Sequence, residues 1–241
     1  MKKITVLFLI LSLLTLSSCH YVFGKRIRGS GNITTQTRSA GQFNSVDVSG
    51  AIDVYVRQDS ASSIKIEGDD NLLELVEVID DGDILRIHPR NGYNLNPSKD
   101  IKVYLSSPNY KKFEASGACK IISENKLTST ENITIDLSGS CDAKLELQVP
   151  AISADMSGAC SLVLKGQSKD FKVEGSGSTS IKCIELLTEN TNVEISGAGD
   201  AEVSASVKLD VEVSGAGSVK YKGSPAVNQS ISGAGSVKKI E

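Results

Sequence analysis

Residues 193–219 read VEISGAGDAEVSASVKLDVEVSGAGSV, and this stretch decides the fold. Ser-Gly-Ala-Gly occurs in it twice, at Ser196–Gly199 and Ser214–Gly217, and again at Ser232–Gly235. Around each copy apolar residues alternate with polar ones: Val193 and Ile195 before the first, Val211 and Val213 before the second, Ala201 and Val203 after the first. A period of two through short apolar runs is the pattern of strands with one buried face.

Working outward, Ser-Gly-small recurs with its glycine at Gly117, Gly139, Gly158, Gly177, Gly197, Gly215 and Gly233, so successive intervals are 22, 19, 19, 20, 18 and 18 residues. An eighth copy, Ser49-Gly50-Ala51, lies upstream. Strand-like repeats at a near-constant spacing of this length mark a solenoid with one coil per repeat. The positions two and four before each glycine, and four and six after it, are mostly apolar and are assigned to the interior. The same alternation assigns the seven glycines themselves to inward-facing coil corners, where a missing Cβ lets the strand bend. Coils stack about 4.8 Å apart, and parallel crossovers are right-handed by strong default. The expected architecture is an all-β, right-handed parallel β-helix with coils of about 18–22 residues and a less regular N-terminal half.

In that half, Ile64–Glu67, Ile84–His88 and Ile101–Leu105 read as strands. The composition of Asn91-Gly92 and of Asn94 to Ser98 predicts a loop, and residues 70–78 fit a helical turn or a strand equally. The expected organisation is an export segment over 1–18, a tether over 19–28, an irregular β part over 29–111 and regular coils over 112–241.

The export reading rests on Lys2 and Lys3 followed by the apolar run Ile4–Leu16, too short for a stable transmembrane span. Leu16-Ser17-Ser18-Cys19 resembles a lipobox, which implies acylation of Cys19 and a two-chain membrane anchor. The expected location is the cell envelope, anchored to the outer membrane. His20-Tyr21-Val22-Phe23, in place of acidic residues, leans towards its periplasmic face. Losing Lys2 and Lys3 takes the formal charge from −3 to −5, which argues against nucleic acid as a partner. Lys25, Arg26 and Arg28 follow the anchor and read either as a solvated tether or as charges set against anionic headgroups.

Enzyme motifs are sparse. His20 and His88 are the two histidines, and the Gly-x-Gly strings precede no helix, so they read as corners and not as phosphate loops. Cys119, Cys141, Cys160 and Cys183 fall at inward positions and read as buried thiols filling small gaps, with a metal or redox site as the competing reading. The outward positions are more regular. Three residues before the glycine stand Glu114, Asp136, Asp155, Glu174, Glu194 and Glu212, with Asp47 at the same offset upstream and Ser230 as the one break. At coil spacing such carboxylates repel one another by about 0.9 kcal/mol per pair even in bulk water. Their pKa values are therefore expected to rise, and the column is either a solvated face, its repulsion offset by nearby Lys112, Lys172 and counter-ions, or a strip that collects calcium or a cationic partner.

Gly29-Ser30-Gly31-Asn32, Phe43-Asn44-Ser45-Val46-Asp47-Val48-Ser49-Gly50, Asp53-Val54 and the Ser-Gly-Ala-Gly copies together resemble the "putative auto-transporter adhesin head GIN domain" family of Bacteroidetes-type envelope proteins. The resemblance spans residues 29–241. It implies a β-helical fold and an extracytoplasmic location, and it brings no catalytic residues. Cys119, Cys141 and Cys160 depart from the glycine or polar residue that later repeats place there. The function expected from all of this is a non-catalytic envelope module that binds a surface polymer or another protein. A polysaccharide-active β-helix enzyme and a purely structural spacer are the alternatives.

Overall fold

In a computed structural model, which describes residues 24–39 and 41–241, the chain is a β-solenoid with an irregular N-terminal part. The expected export segment and Cys19 lie outside the described residues. The irregular part runs β1 (Lys25–Arg28), β2 (Ile33–Arg38), β3 (Ser45–Gly50), β4 (Ile52–Gln58), β5 (Ser63–Asp69), α1 (Asp70–Leu73), β6 (Val76–Asp81), β7 (Ile84–Pro89), β8 (Tyr93–Asn96) and β9 (Ile101–Ser107). The coils follow as β10 (Lys112–Gly117), β11 (Lys120–Ser123), β12 (Leu127–Thr128), β13 (Ile133–Gly139), β14 (Asp142–Gly158), β15 (Ser161–Gly177) and β16 (Ser180–Gly197). The last are β17 (Asp200–Ser204), β18 (Lys208–Gly215), β19 (Ser218–Lys222), β20 (Ala226–Gly233) and β21 (Ser236–Lys239).

Two walls meet at the Ser-Gly-small corner. The wall entering the corner stacks β7, β3, β10, β13, the second halves of β14, β15 and β16, then β18 and β20, all parallel. The wall leaving it stacks β9, β4, β11, the first halves of β14, β15 and β16, then β17, β19 and β21, again parallel. Glycine pairs with glycine at every step from Gly50 through Gly117 to Gly233. The upstream copy is thus a full member of the stack, although 67 residues separate Gly50 from Gly117 (117 minus 50).

Those 67 residues fold back beneath their own starting point. β7 and β9 form a rung below β3 and β4, and the chain then passes Pro108–Lys111 to reach β10 above them. The free sides of that lowest rung are closed by antiparallel neighbours, β6 on β7 and β5 on β9, with β2 antiparallel to β5 in turn. The expected strands at 64–67, 84–88 and 101–105 are therefore present, but the N-terminal part is mixed and not simply parallel. Antiparallel pairing consumes the open hydrogen bonds of the first rung, as a solenoid cap must. Residues 70–78 divide between the two expected options: α1 takes the first four and β6 begins at Val76. The loop expected at 91–98 contains β8, which pairs in parallel with β1, so ordered structure also enters the expected tether at Lys25.

The interior follows the alternation closely. Ile135, Leu137, Ala154, Met156, Val193, Ile195, Val211 and Val213 are all buried, as are Ala143, Leu145, Leu162, Leu164, Ala201 and Val203. The corner glycines are the exception: Gly117, Gly139, Gly158, Gly177, Gly197 and Gly233 are exposed and point out of the coil. Extrapolating a period of two through them fails because their φ is positive, 90° at Gly139 and 98° at Gly177, so the chain turns there instead of staying extended. Glycine is required for a second reason. A Cβ on Gly139 would lie 2.6 Å from the carbonyl oxygen of Gly117 one rung below, and one on Gly177 would lie 2.7 Å from that of Gly158. The obstruction runs along the stack and does not involve the core.

The position two after the glycine does face the core, and it explains the cysteines. In the later coils it is Gly199, Gly217 and Gly235, where a Cβ would press on γ-methyls of Ile195, Val213 and Ile231 in the entering strands. Where the entering strand carries Ala115, Leu137 or Met156, which have no branch at Cβ, the space is free and Cys119, Cys141 or Cys160 fills it. In the intermediate coil Thr179 occupies the volume left by Gly175. The upstream copy keeps Val48 and Ile52 together, so this exchange belongs to the contiguous coils.

Candidate functional site

The acidic column is continuous. Register places Asp47 beside Glu114, and then Asp136, Asp155, Glu174, Glu194 and Glu212 one rung apart, with Ser230 next. At the lower end Arg86 pairs with Asp47 in register and approaches it at 3.6 Å. The six carboxylates from Glu114 to Glu212, which the spacing put on one line, form one side of a groove of about 670 Å³ running up the entering wall. The other side is the row Ser116, Ser138, Ser157, Ser176, Ser196 and Ser214, immediately before the corner glycines. The strand floor between them is closed by buried side chains such as Leu137 and Met156.

Two lysines, Lys112 and Lys172, interrupt the charge of the ladder, as their nearness in the sequence suggested. Lys112 lies 2.6 Å from Glu114 and 3.0 Å from Asp136, which raises its own pKa. Lys172 pairs with Glu174 and lies 3.8 Å from Glu194, with the same effect. Both stand two residues before their acid, on the same outward face of the strand, so each reaches its own rung and the next. Between these two clamps Asp155 has no cation within ion-pair distance among the described residues, because its strand carries Ser153 at the lysine position. Partial burial, followed by repulsion from Glu174 and Asp136, raises the Asp155 pKa. Asp155 and Glu212 are thus the two carboxylates of the groove without an ion-pair partner among the described residues, and Asp155 is the one flanked by acids on both sides. Among the described residues no three His, Cys, Asp or Glu side chains converge as a metal cage would require.

The thiols lie inside the coils, away from this face. Cys119, Cys141 and Cys160 donate to the carbonyls of Ser116, Ser138 and Ser157 at 3.3, 3.2 and 3.4 Å, so each satisfies the strand end at its own corner. All four cysteines are free thiols. Burial pushes Cys183 up to about 12 and raises Cys160 as well. His88 is half-buried, with Nδ1 3.0 Å from the Pro89 carbonyl oxygen and 3.9 Å from Glu77, at the edge of the cap.

One feature carried no sequence signal. Asp69 is wholly buried, yet its carboxylate accepts hydrogen bonds from Gly31 N at 2.7 Å, Ser98 N at 2.8 Å and Ser98 Oγ at 2.6 Å. Burial alone would raise its pKa; the bonds from Ser98 and Gly31 outweigh that and hold it below the ordinary value. Next to it, Asp70 accepts from Ser30 Oγ at 2.5 Å and Asn32 Nδ2 at 2.8 Å, and Asn71 Oδ1 accepts from Ser30 N at 2.9 Å. Gly29 lies against the Asp69 carboxyl, where a Cβ would collide with it. The Gly-Ser-Gly-Asn stretch is thus the cradle of two aspartates.

A parallel solenoid with one capped end and a straight groove along a wall defines a repeat protein built to present an extended surface. The match to family models is consistent with this. Residues 42–225 match the family described as "Putative auto-transporter adhesin, head GIN domain", and the chain belongs to it. Among solved structures it is similar to a putative adhesin from Bacteroides fragilis, at 24% identity and a TM-score of 0.81, with 89% of this chain and 100% of that one covered. It is also similar to a putative lipid binding protein from Parabacteroides distasonis, at 24% identity, a TM-score of 0.70 and coverage of 90% and 100%. A putative adhesin from Parabacteroides merdae aligns with 22% identity, the same TM-score and the same coverage. At these identities the likeness speaks for the fold. No curated protein matches the sequence.

Proposed function

We propose that this protein is a non-catalytic module of the cell envelope, lipid-anchored through Cys19, whose groove binds an extended cationic partner: a surface polymer or a protein segment. The observation that carries the reading is the groove itself, with a row of carboxylates on one side, a row of serine hydroxyls on the other, and one of each per rung. A ladder repeating about every 4.8 Å suits a ligand that is itself extended and periodic. Its focus is Asp155, which stands between the Lys112 and Lys172 clamps without an ion pair of its own. The names of the similar structures, adhesin in two cases and lipid binding protein in one, point to binding and not to chemistry. Against a glycosidase, the carboxylates stand side by side in a single column facing serines, whereas hydrolysis needs two carboxyls on opposite sides of the scissile bond.

The test is binding of the protein to arrayed glycans and basic peptides, comparing wild type with Asp155→Asn/Glu174→Gln. Capture by the wild type that the double variant loses, at an unchanged melting temperature, supports the groove; equal capture by both overturns it. Calcium sharpens the same test. If it bridges neighbouring carboxylates in the folded state alone, millimolar calcium raises the melting temperature by mass action, and the double variant abolishes the rise. An unmoved melting curve rules calcium out as the groove's ligand.

A further inference from the structure

The geometry points to a membrane-contact surface at the capped end of the solenoid, formed by the outer face of the β1–β8 pair and suited to the phosphates of anionic lipid headgroups. Register sets Arg26 beside Asn94 and Arg28 beside Asn96, while Ile27 pairs with Leu95, which packs against the core. Side chains alternate along a strand, so Arg26, Asn94, Arg28 and Asn96 share the face turned away from the body. That face holds two guanidiniums and two carboxamides and no carboxylate. Arg26 and Arg28 are exposed and, with Lys25, make no ion pair among the described residues, whereas Arg86 and Arg90 of the cap do. Guanidinium binds phosphate through paired hydrogen bonds, and a neighbouring amide can donate as well.

Three further observations aim this face at a bilayer. The first is the length of chain outside the structure. Cys19 precedes Lys25 by six residues, which span about 20 Å at full extension. The inference therefore rests on the acylation of Cys19 proposed above; given it, β1 cannot leave the neighbourhood of the headgroups. The second is rigidity. Gly31, just after β1, and Ser98, just after β8, both bond to the single buried carboxylate of Asp69, and Asn71 Nδ2 donates to the Arg28 carbonyl at 2.9 Å. The pair is clamped to the body and does not swing as a tether would. The third is polarity of the whole molecule: β8 lies between β7 and β9 in the lowest rung, so β20 and β21 form the far end. The contact then lies at the end of the solenoid opposite β20 and β21.

Hydrogen exchange on the acylated, full-length protein reconstituted in vesicles tests this. Intact mass first establishes the lipid; a chain without it removes the tether on which the inference rests and overturns it, while the groove test above is unaffected. In vesicles of equal phosphatidylcholine and phosphatidylglycerol, amides of Arg26–Gly29 should exchange roughly tenfold more slowly than in phosphatidylcholine alone, and high salt should erase the difference. Arg26→Glu/Arg28→Glu, at two exposed positions, should abolish it, whereas Lys238→Glu/Lys239→Glu at the far end should leave it intact. Equal exchange in both vesicle types, or a difference that survives the arginine substitutions, overturns the proposal.

Discussion

The N-terminal cap and the coils that follow it are held together in different ways. From Gly117 to Gly233 each rung repeats the corner backbone of the one below, and the inward residue after the corner is matched to its neighbours: cysteine over unbranched ones, glycine over branched ones. The cap has no repeat to copy and relies on particular contacts. Tyr110 is fully buried, stacks on Phe113 at 5.4 Å, meets Phe43 at 6.3 Å and donates to the Arg57 carbonyl at 3.1 Å. Gln58 donates to the Pro108 and Thr128 carbonyls while Asn125 Oδ1 accepts from its backbone, and Asp69 binds two distant turns at once. The lesson is that periodic structure spreads its stability over many equivalent backbone contacts, whereas aperiodic structure concentrates it in a few polar knots.

Substitution in each region should separate the two modes. The largest effect is expected from Gly177→Val, in the middle of the coils. It puts a branched side chain at φ 98° and against the Gly158 carbonyl, costing about 3 kcal/mol or more from strain and overpacking together. Hydrogen exchange should show the loss centred on β14–β16, with the cap still protected; uniform loss over both regions would mean the two are one cooperative unit.

Asp69→Asn should come next, at about 2–3 kcal/mol, since the amide cannot accept all three bonds and brings its own donors into a buried site. The damage should appear first in β1, β8 and α1. Acid titration gives the sign independently. A carboxyl held below its ordinary value stabilises the fold above the unfolded pKa of 3.8 and loses that contribution as pH falls through the folded value. The cap should therefore open at low pH in wild type, and Asp69→Asn should flatten that acid limb; an unchanged limb would show that another group controls it.

The smallest effect belongs to Asp155→Asn, which should stabilise by no more than about 0.5 kcal/mol, because solvent screens an exposed carboxylate. Here the sign reverses. A carboxyl with a raised pKa penalises the fold when ionised, so stability should rise as pH falls through its folded pKa, which lies above the ordinary 3.8. Thermal melts across mild acid should show wild type gaining on the variant. Wild type and variant moving in parallel would mean that the ladder's repulsion is already neutralised.

What the sequence disclosed follows the same division. The coils were legible because one interval and one alternation recur, which fixed the parallel stack, the interior residues and the acidic line by counting alone. The orientation of the glycines was misjudged because alternation presumes extended backbone, and a positive φ breaks that premise without changing the spacing. Lys112 and Lys172 could be read as neighbours that offset the acids, but that each bridges its own rung and the next depends on side-chain reach, which spacing does not give. In the cap, β8 has the asparagine-rich composition of a loop and becomes a strand because β1 lies beside it. Asp69 is one aspartate among many, and its burial depends on turns at Gly31 and Ser98 that lie 38 residues before it and 29 after it.

Glycine stacked on glycine in strict register also makes length an independent variable. A rung touches only the rungs above and below, and all but the last offer the groove one carboxylate and one serine. An in-frame duplication of 18 to 20 residues, the spacing of the later copies, would slide in one more rung without rewriting any existing contact and lengthen the groove by about 4.8 Å. Deletion of a repeat would shorten it equally. Reach, and the number of ligand units engaged at once, are thus tunable by copy number.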